Sequence, residues 1–274
     1  MSARVHPSAV VDPGAILGDG VVIGPHATVG AEVEIGAETV VGPQVAIQGP
    51  TRIGRGNRIS AHAAIGFDPQ DLKYSGERVA LEIGDRNQIR EFVTFHRGTG
   101  KGGGVTRIGD DNLFMVYSHV AHDCQVGNRT IFANNATLAG HCEVHDDVTI
   151  GAFSALQQFG RIGRSAYIGG YSRLLTDALP FVKTIGLRPV VLGVNRIGMA
   201  RKGYDAGRIQ AVTAAVRILL RSGLNTTQAL ERIEREIVGS PDVDYLVAFV
   251  RAARRGVIRA LPARRGAGES GGED

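Results

Sequence analysis

The sequence predicts a β solenoid, a parallel β-helix of hexapeptide repeats with a C-terminal α-helical domain, and three observations predict it. Aliphatic residues recur every six positions, and small or β-branched residues recur in phase two positions earlier. The composition is Gly-rich and aromatic-poor, with 38 Gly, 9 Phe, 6 Tyr and no Trp in 274 residues. A repeat of this kind outranks every local signal, because overlooking it mistakes the whole architecture.

The aliphatic series runs without a gap as Val5, Val11, Leu17, Ile23, Val29, Ile35, Val41, Ile47, Ile53, Ile59, Ile65. It resumes at Ile83, Ile89 and Phe95, and again from Ile108 through Phe114, Val120, Val126, Phe132 and onward to Leu174. The second series contains Ala9, Ala15, Val21, Ala27, Val33, later Ser118, Cys124, Thr130, Ala136, Cys142, with Asn57, Asn87 and Asn112 among its exceptions. A six-residue period suits neither a helix face nor a simple strand alternation. It suits a short strand and a corner. Three of these close a triangular coil of 18 residues, and coils stack at about 4.8 Å. Both series then point inward and form one continuous core.

Two polar segments, 66–80 and 99–107, leave the frame and read as loops pushed out of the coil, where repeat proteins commonly bind. The repeats end near 177–180. Residues 206–221 then carry Ile209, Val212, Val216, Leu219 and Leu220 at helical spacing. Thr226 or Thr227 is expected to cap a second helix reaching Val238, with Gly239 as its stop, and a third helix is expected from Asp242 to Arg254. The organisation expected is thus a β-helix over 1–180, a helical domain over 181–261 and a disordered tail over 262–274.

Composition narrows the function. A net charge of +4 argues against nucleic-acid binding. No apolar run approaches the roughly 20 residues of a membrane span, and the first residues lack a signal-peptide pattern, so a cytoplasmic location is expected. Two cysteines cannot make a disulfide scaffold. Cys124 and Cys142 lie one coil apart in the inward column and read as core thiols.

The same period identifies neighbours on the outside. His122, Gly140 and Gln158 share one outward corner column, and Asp123 and His141 share the next. Two imidazoles, a carboxylate and an exposed glycine amide thus meet on one ridge. A carboxylate can fix a histidine tautomer and raise its basicity. The residues alone leave a solvated ridge, or a zinc site of His119, His122 and His141 between subunits, as competing readings.

Seven segments carry a more specific resemblance: "QDLKY" (70–74), "IGDRNQIRE" (83–91), "HRGT" (96–99), "DNLFM" (111–115), "HVAHDC" (119–124), "ANNATLAGH" (133–141) and "GVNRIGMARKGY" (193–204). From about Val5 to Arg259 the chain resembles the UDP-N-acetylglucosamine 3-O-acyltransferases of lipid A synthesis. The resemblance implies a left-handed coil and a homotrimer with sites between neighbouring β-helices. It implies acyl transfer, of a 3-hydroxyacyl chain in the expectation, from acyl carrier protein to the sugar 3-hydroxyl, without cofactor or metal. It casts His122 as general base, Asp123 as its orienting partner and the Gly140 amide as oxyanion donor. Gln70, Asp71, Lys73, His96, His119, His141, Gln157, Gln158, Asn195 and Arg201 match positions that contact substrate. Gly170 matches a position that limits acyl length. Gln157 stands where the family commonly has His, and segment 185–191 also departs from the pattern.

The basic residues Arg161, Arg164, Arg173, Lys183, Arg188, Arg201 and Lys202 are a candidate dock for the acidic carrier protein. Three rival readings are weaker. The sister N-acyltransferase carries an extra N-terminal uridine-binding domain, which is not expected where the repeats begin at Val5. A zinc lyase of the carbonic anhydrase type would need metal ligands in place of an acid–base pair. A passive scaffold would have no need of His122 and Asp123.

Overall fold

The computed structural model describes residues 2–259. Its strands, mostly two to four residues long, form three sheets of 11, nine and eight strands, and through the coil each sheet gathers every third strand of the chain. Val22 pairs in parallel with Val40, and Val40 with Arg58, one coil per step. Arg58 pairs next with Gln88, and Gln88 with Leu113, because the two insertions lengthen those coils. The sequence period therefore becomes a stack of triangular coils.

Both inward series are buried from Val21 onward, whereas Val5, at the open end, stays exposed. Phe95, Phe114 and Phe132 fill the middle of the core, with successive ring centroids 4.7 Å apart. The asparagines that interrupt the small column form a buried ladder. Asn57 Oδ1 accepts from Asn87 N and Nδ2 at 2.9 and 3.0 Å, and Asn87 Oδ1 accepts from Asn112 N and Nδ2, both at 3.0 Å. Thr130 N and Oγ1 close the run on Asn112 Oδ1, each at 2.7 Å. A buried amide left without such a partner would cost about 1–3 kcal/mol, so the ladder also fixes coil register.

Most corners place a non-glycine residue in the left-handed region, among them Asp123 (φ 59°), His141 (φ 60°) and Phe159 (φ 63°). Each such residue costs about 1–2 kcal/mol. A backbone bond to the preceding coil offsets that cost: His141 N donates to His122 O at 2.9 Å, and Phe159 N to Gly140 O at 3.1 Å. The corners are thus locked in one stack, which makes them a rigid platform.

The insertions are shorter than the loss of periodicity suggests. Ala64–Phe67 is still a strand and the next begins at Ala80, while Val105–Ile108 restores the coil before residue 107. Beyond residue 180 the first sheet gains Val182–Ile185 in parallel and Val190–Val194 antiparallel to it. The altered segment 185–191 includes the tip of this hairpin.

Among the described residues four helices follow: α1 (Arg196–Arg201), α2 (Ala206–Arg221), α3 (Thr226–Glu236) and α4 (Pro241–Arg251). With six residues, α1 is too short for a periodic signal, and the sequence reading missed it. The cap of α3 is Asn225 rather than Thr226 or Thr227, in a reciprocal capping box with Gln228. α3 stops at Glu236, short of Val238, and α4 stops at Arg251, short of Arg254. The helices are fastened to the coil by the buried Asp242, which pairs with Arg164 of a coil corner at 3.0 Å and with Arg208 of α2 at 2.7 Å. The tail expected over 262–274 lies outside the described residues. Among the described residues, no helix is long and apolar enough to cross a membrane.

Candidate active site

Five successive corners between the second and third sheets build one edge of the molecule. The first carries the insertion between Ala64–Phe67 and Ala80–Ile83, and the second carries the insertion between Thr94–His96 and Val105–Ile108. The third holds His122 and Asp123, the fourth Gly140 and His141, the fifth Gln157, Gln158 and Phe159. Parallel pairing of His119 with Thr137, and of Thr137 with Ala155, sets this register. The column read from the period is therefore present.

Its surroundings differ from the expectation of an exposed ridge. His122 and Asp123 are each only 5% exposed, and Gly140 is buried. The second insertion folds back over the corner. Thr99 N donates to Asp123 Oδ1 at 2.8 Å and Thr99 Oγ1 to Oδ2 at 2.7 Å. Gly102 lies so close that a Cβ there would sit 2.1 Å from Asp123 Cγ. Thr106 Oγ1 accepts the Asp123 backbone N–H at 2.7 Å. Thr99 and Thr106 had no role in the sequence reading. Only the return of a loop brings the first within reach, and the coil phase of the second gives no hint of a corner contact.

His122 Nδ1 lies 2.8 Å from Asp123 Oδ2. An ionised carboxylate only accepts, so Nδ1 carries the proton and the Nε2 lone pair is left for chemistry. An ideal Cβ on Gly140 would lie 2.4 Å from His122 Cε1 and 2.6 Å from Nε2. The reactive edge of the imidazole thus rests against the Gly140 backbone. The Gly140 N–H donates to no acceptor among the described residues. His141 stands edge-on to His122, with centroids 5.0 Å apart, and stacks at 4.5 Å on Phe159, another residue the sequence reading left aside.

Three neighbouring histidines have a lowered proton affinity. Burial, with His119 and His122 nearby, pushes His96 down to about 4. Burial also lowers His119 and His141 below the ordinary imidazole value. Near pH 7 this favours the neutral imidazole at all three. His119 Nδ1 bonds Thr94 Oγ1 at 2.7 Å, and the buried His96 Nδ1 has no partner.

The two insertions are stitched together. Glu77 accepts from Gly100 N at 3.1 Å, and backbone donors led by Ser75 hold its carboxyl at about 2. Arg97 pairs with Asp68. Asp71 Oδ1 accepts the Lys73 backbone N–H at 3.0 Å, and its charge reaches His141. Gln70 and Lys73 are exposed beside this edge, as are Gln157 and Gln158.

Three residues are not gathered here. Asn195 caps α1 and donates to Ser165 O at 3.1 Å, on the corner between the third and first sheets. Arg201, exposed at the end of α1, has no ionic partner among the described residues. Gly170 follows Tyr167–Ile168, on the corner between the first and second sheets. Within one chain these positions and His122 belong to different edges.

The proposed carrier dock also divides. Arg161 pairs with the buried Asp177 at 2.6 Å, Arg164 with Asp242, and Lys202 with Asp147 at 3.2 Å. These three are spent inside the protein. Cys124 and Cys142 are free, buried thiols whose sulfurs donate to the carbonyls of Ala139 and Gln157 at 3.1 and 3.2 Å. Potential metal donors of His122, Asp123 and His141 lie within 4.8 Å of one another. However, both Asp123 oxygens already accept strong hydrogen bonds from Thr99 and His122, and His119 is turned to Thr94. The set fits an acid–base pair better than a metal centre.

The family model described as UDP N-acetylglucosamine O-acyltransferase, domain 2, matches residues 177–258. That for the bacterial transferase hexapeptide matches residues 106–140. A curated acyl-[acyl-carrier-protein]–UDP-N-acetylglucosamine O-acyltransferase from Stenotrophomonas maltophilia is 51% identical over 209 residues, which is 75% of this chain and 79% of that protein. The chain belongs to this acyltransferase family. Among solved structures, LpxA from Acinetobacter baumannii superposes with a TM-score of 0.91 at 41% identity, over 93% of this chain and 99% of that one. The UDP-N-acetylglucosamine acyltransferase of Francisella novicida gives 0.90 at 33% identity, over 93% and 94%. The coil shares the left hand of this family.

Proposed function

We propose that this protein transfers an acyl chain from acyl carrier protein to the 3-hydroxyl of UDP-N-acetylglucosamine, the opening reaction of lipid A synthesis. Family membership carries the activity. The observation that carries the mechanism is the His122–Asp123 pair, with the Nε2 edge of the imidazole against the backbone of Gly140.

His122 Nε2 takes the proton of the sugar 3-hydroxyl as its oxygen attacks the thioester carbonyl carbon. The Gly140 N–H donates to the developing oxyanion, where a fixed donor is worth most. Collapse forms the ester, breaks the C–S bond and returns the proton from His122 to the departing thiolate. Asp123 holds the tautomer and offsets the positive charge on the imidazole. A thioester is already activated, so aligning two substrates in one cleft suffices and no covalent enzyme intermediate is needed. Gln70, Asp71, Lys73, His96, His119, His141, Gln157 and Gln158 surround that cleft as substrate contacts. A 3-hydroxyacyl donor and a cytoplasmic location are part of this reading. The direct test is to incubate the purified protein with UDP-N-acetylglucosamine and a panel of acyl carrier protein thioesters and to weigh the product. No 3-O-acylated sugar from any donor would refute the assignment.

Thr99 positions the base through Asp123. Thr99→Val keeps the shape but removes a hydroxyl donor, so kcat should fall about tenfold or more while KM for the nucleotide sugar stays constant. Thr99→Ser should restore turnover. Equal loss in both variants would point to loop packing instead.

A homotrimer with its clefts between neighbouring coils would bring the Asn195 and Arg201 edge of one copy to the His122 edge of the next. His122→Ala and Arg201→Ala chains, each inactive alone, should then complement when co-refolded. Random mixing leaves about a quarter of sites intact. Failure of mixed samples to recover turnover would place the whole site within one chain.

A further inference from the structure

We infer that the carrier protein docks in a basic groove between the Val182–Val194 hairpin and α2, apart from the late-coil arginines that first suggest a dock. This inference rests on the proposed activity and adds the surface through which the donor is recognised. The groove encloses about 440 Å³. Lys183 of the hairpin, Arg196 of α1, and Arg217 and Arg221 of α2 line it, and all four are exposed. None has an acidic partner among the described residues, in contrast to Arg161, Arg164, Lys202 and Arg208 nearby.

Arg217 and Arg221 are four apart on one helical face, where like charges repel. Lys183 and Arg196 add two more charges of the same sign across the groove. The fold thus holds four cations together without internal compensation, an arrangement that an anionic partner relieves. Between them lies an apolar floor that includes Val191, Val216 and Leu220. A strongly acidic carrier protein matches the charges, and apolar side chains on its contact face would meet the floor. The groove also abuts α1, whose two ends are Asn195 and Arg201, so a carrier seated here stands beside the residues read as part of the cleft. Attraction of this kind governs encounter and its salt dependence more than the chemical step.

The test compares two donors bearing the same acyl chain, the carrier protein and a small pantetheine thioester. In the double variant Arg217→Glu/Arg221→Glu, KM for the carrier protein should rise about tenfold or more and lose its dependence on salt. Turnover with the small thioester, KM for UDP-N-acetylglucosamine and the elution volume of the assembly should not change. The charge-matched variant Arg4→Glu/Arg235→Glu should behave as wild type. An unchanged carrier KM overturns the dock, and so does an equal rise in the charge-matched control. A rise confined to the nucleotide-sugar KM assigns the groove to the nucleotide instead, and a shifted elution volume assigns it to a second copy. Wild-type protein that uses no carrier thioester overturns the proposed activity itself, whereas wild-type turnover with indifferent variants overturns the dock alone.

Discussion

Replacing His122 with alanine should lower kcat by about 10²–10⁴-fold, the range supplied by a positioned general base, and leave a folded protein. In the proposed mechanism His122 Nε2 is the atom that takes the proton of the reacting hydroxyl. Its partner Nδ1 is committed to Asp123 at 2.8 Å, and the carboxylate is committed to Thr99. The neighbouring imidazoles cannot take over. His119 is tied to Thr94 through Nδ1, and its proton affinity is depressed by burial. His141 reaches Asp123 only at 3.7 Å. The coil itself should survive, because the corner backbone bond from His141 N to His122 O does not involve the ring. Single-turnover rates on saturating substrates, together with circular dichroism, measure the two halves of this expectation. A variant within a factor of three of wild type would remove His122 from the mechanism.

Gly140→Ala should be nearly as damaging, about 10²-fold in kcat, the order expected when a reacting group is displaced by an ångström. Only one methyl is added, and the φ of Gly140 is not in the left-handed region, so the backbone accepts alanine. The injury is local. The new Cβ would lie 2.4 and 2.6 Å from His122 Cε1 and Nε2, closer than real Cβ contacts come, and 3.0 Å from Nδ1, which is tight. The ring has little room to retreat, since Asp123 holds one side and His141 stands edge-on to it at 5.0 Å. Either the His122 ring swings off Asp123 or the corner carrying the Gly140 N–H shifts, and both outcomes would spoil the proposed alignment. Steady-state kinetics and a thermal melt distinguish this from unfolding: the melting temperature should hold while kcat falls. Wild-type kcat in this variant would show that the glycine is a turn residue and nothing more.

The six-residue period was enough to determine the coil, the contents of its core and the stacking of His122 over Gly140 and of Asp123 over His141. Those features depend only on phase, and phase is a property of the chain read in one dimension. It also set Cys124 and Cys142 in the interior as thiols. Helix ends and short elements were less legible. The six residues of α1 give no periodic signal, and the cap of α3 fell one residue earlier because Asn225, unlike Thr226, is placed to exchange bonds with Gln228.

The tertiary structure alone decided which groups leave the ridge and which enclose it. Periodicity says nothing about where an aperiodic insertion goes, so it could not show that the loop bearing Thr99 and Gly102 returns over Asp123 and turns a solvated corner into a buried acid–base pair. Nor could it show that Arg161, Arg164 and Lys202 would be consumed by buried or half-buried carboxylates, or that Asn195 and Arg201, beyond the last repeat, would stand on another edge than His122. Such contacts join residues separated by loops and helices of no fixed period, and only the folded backbone sets their distances.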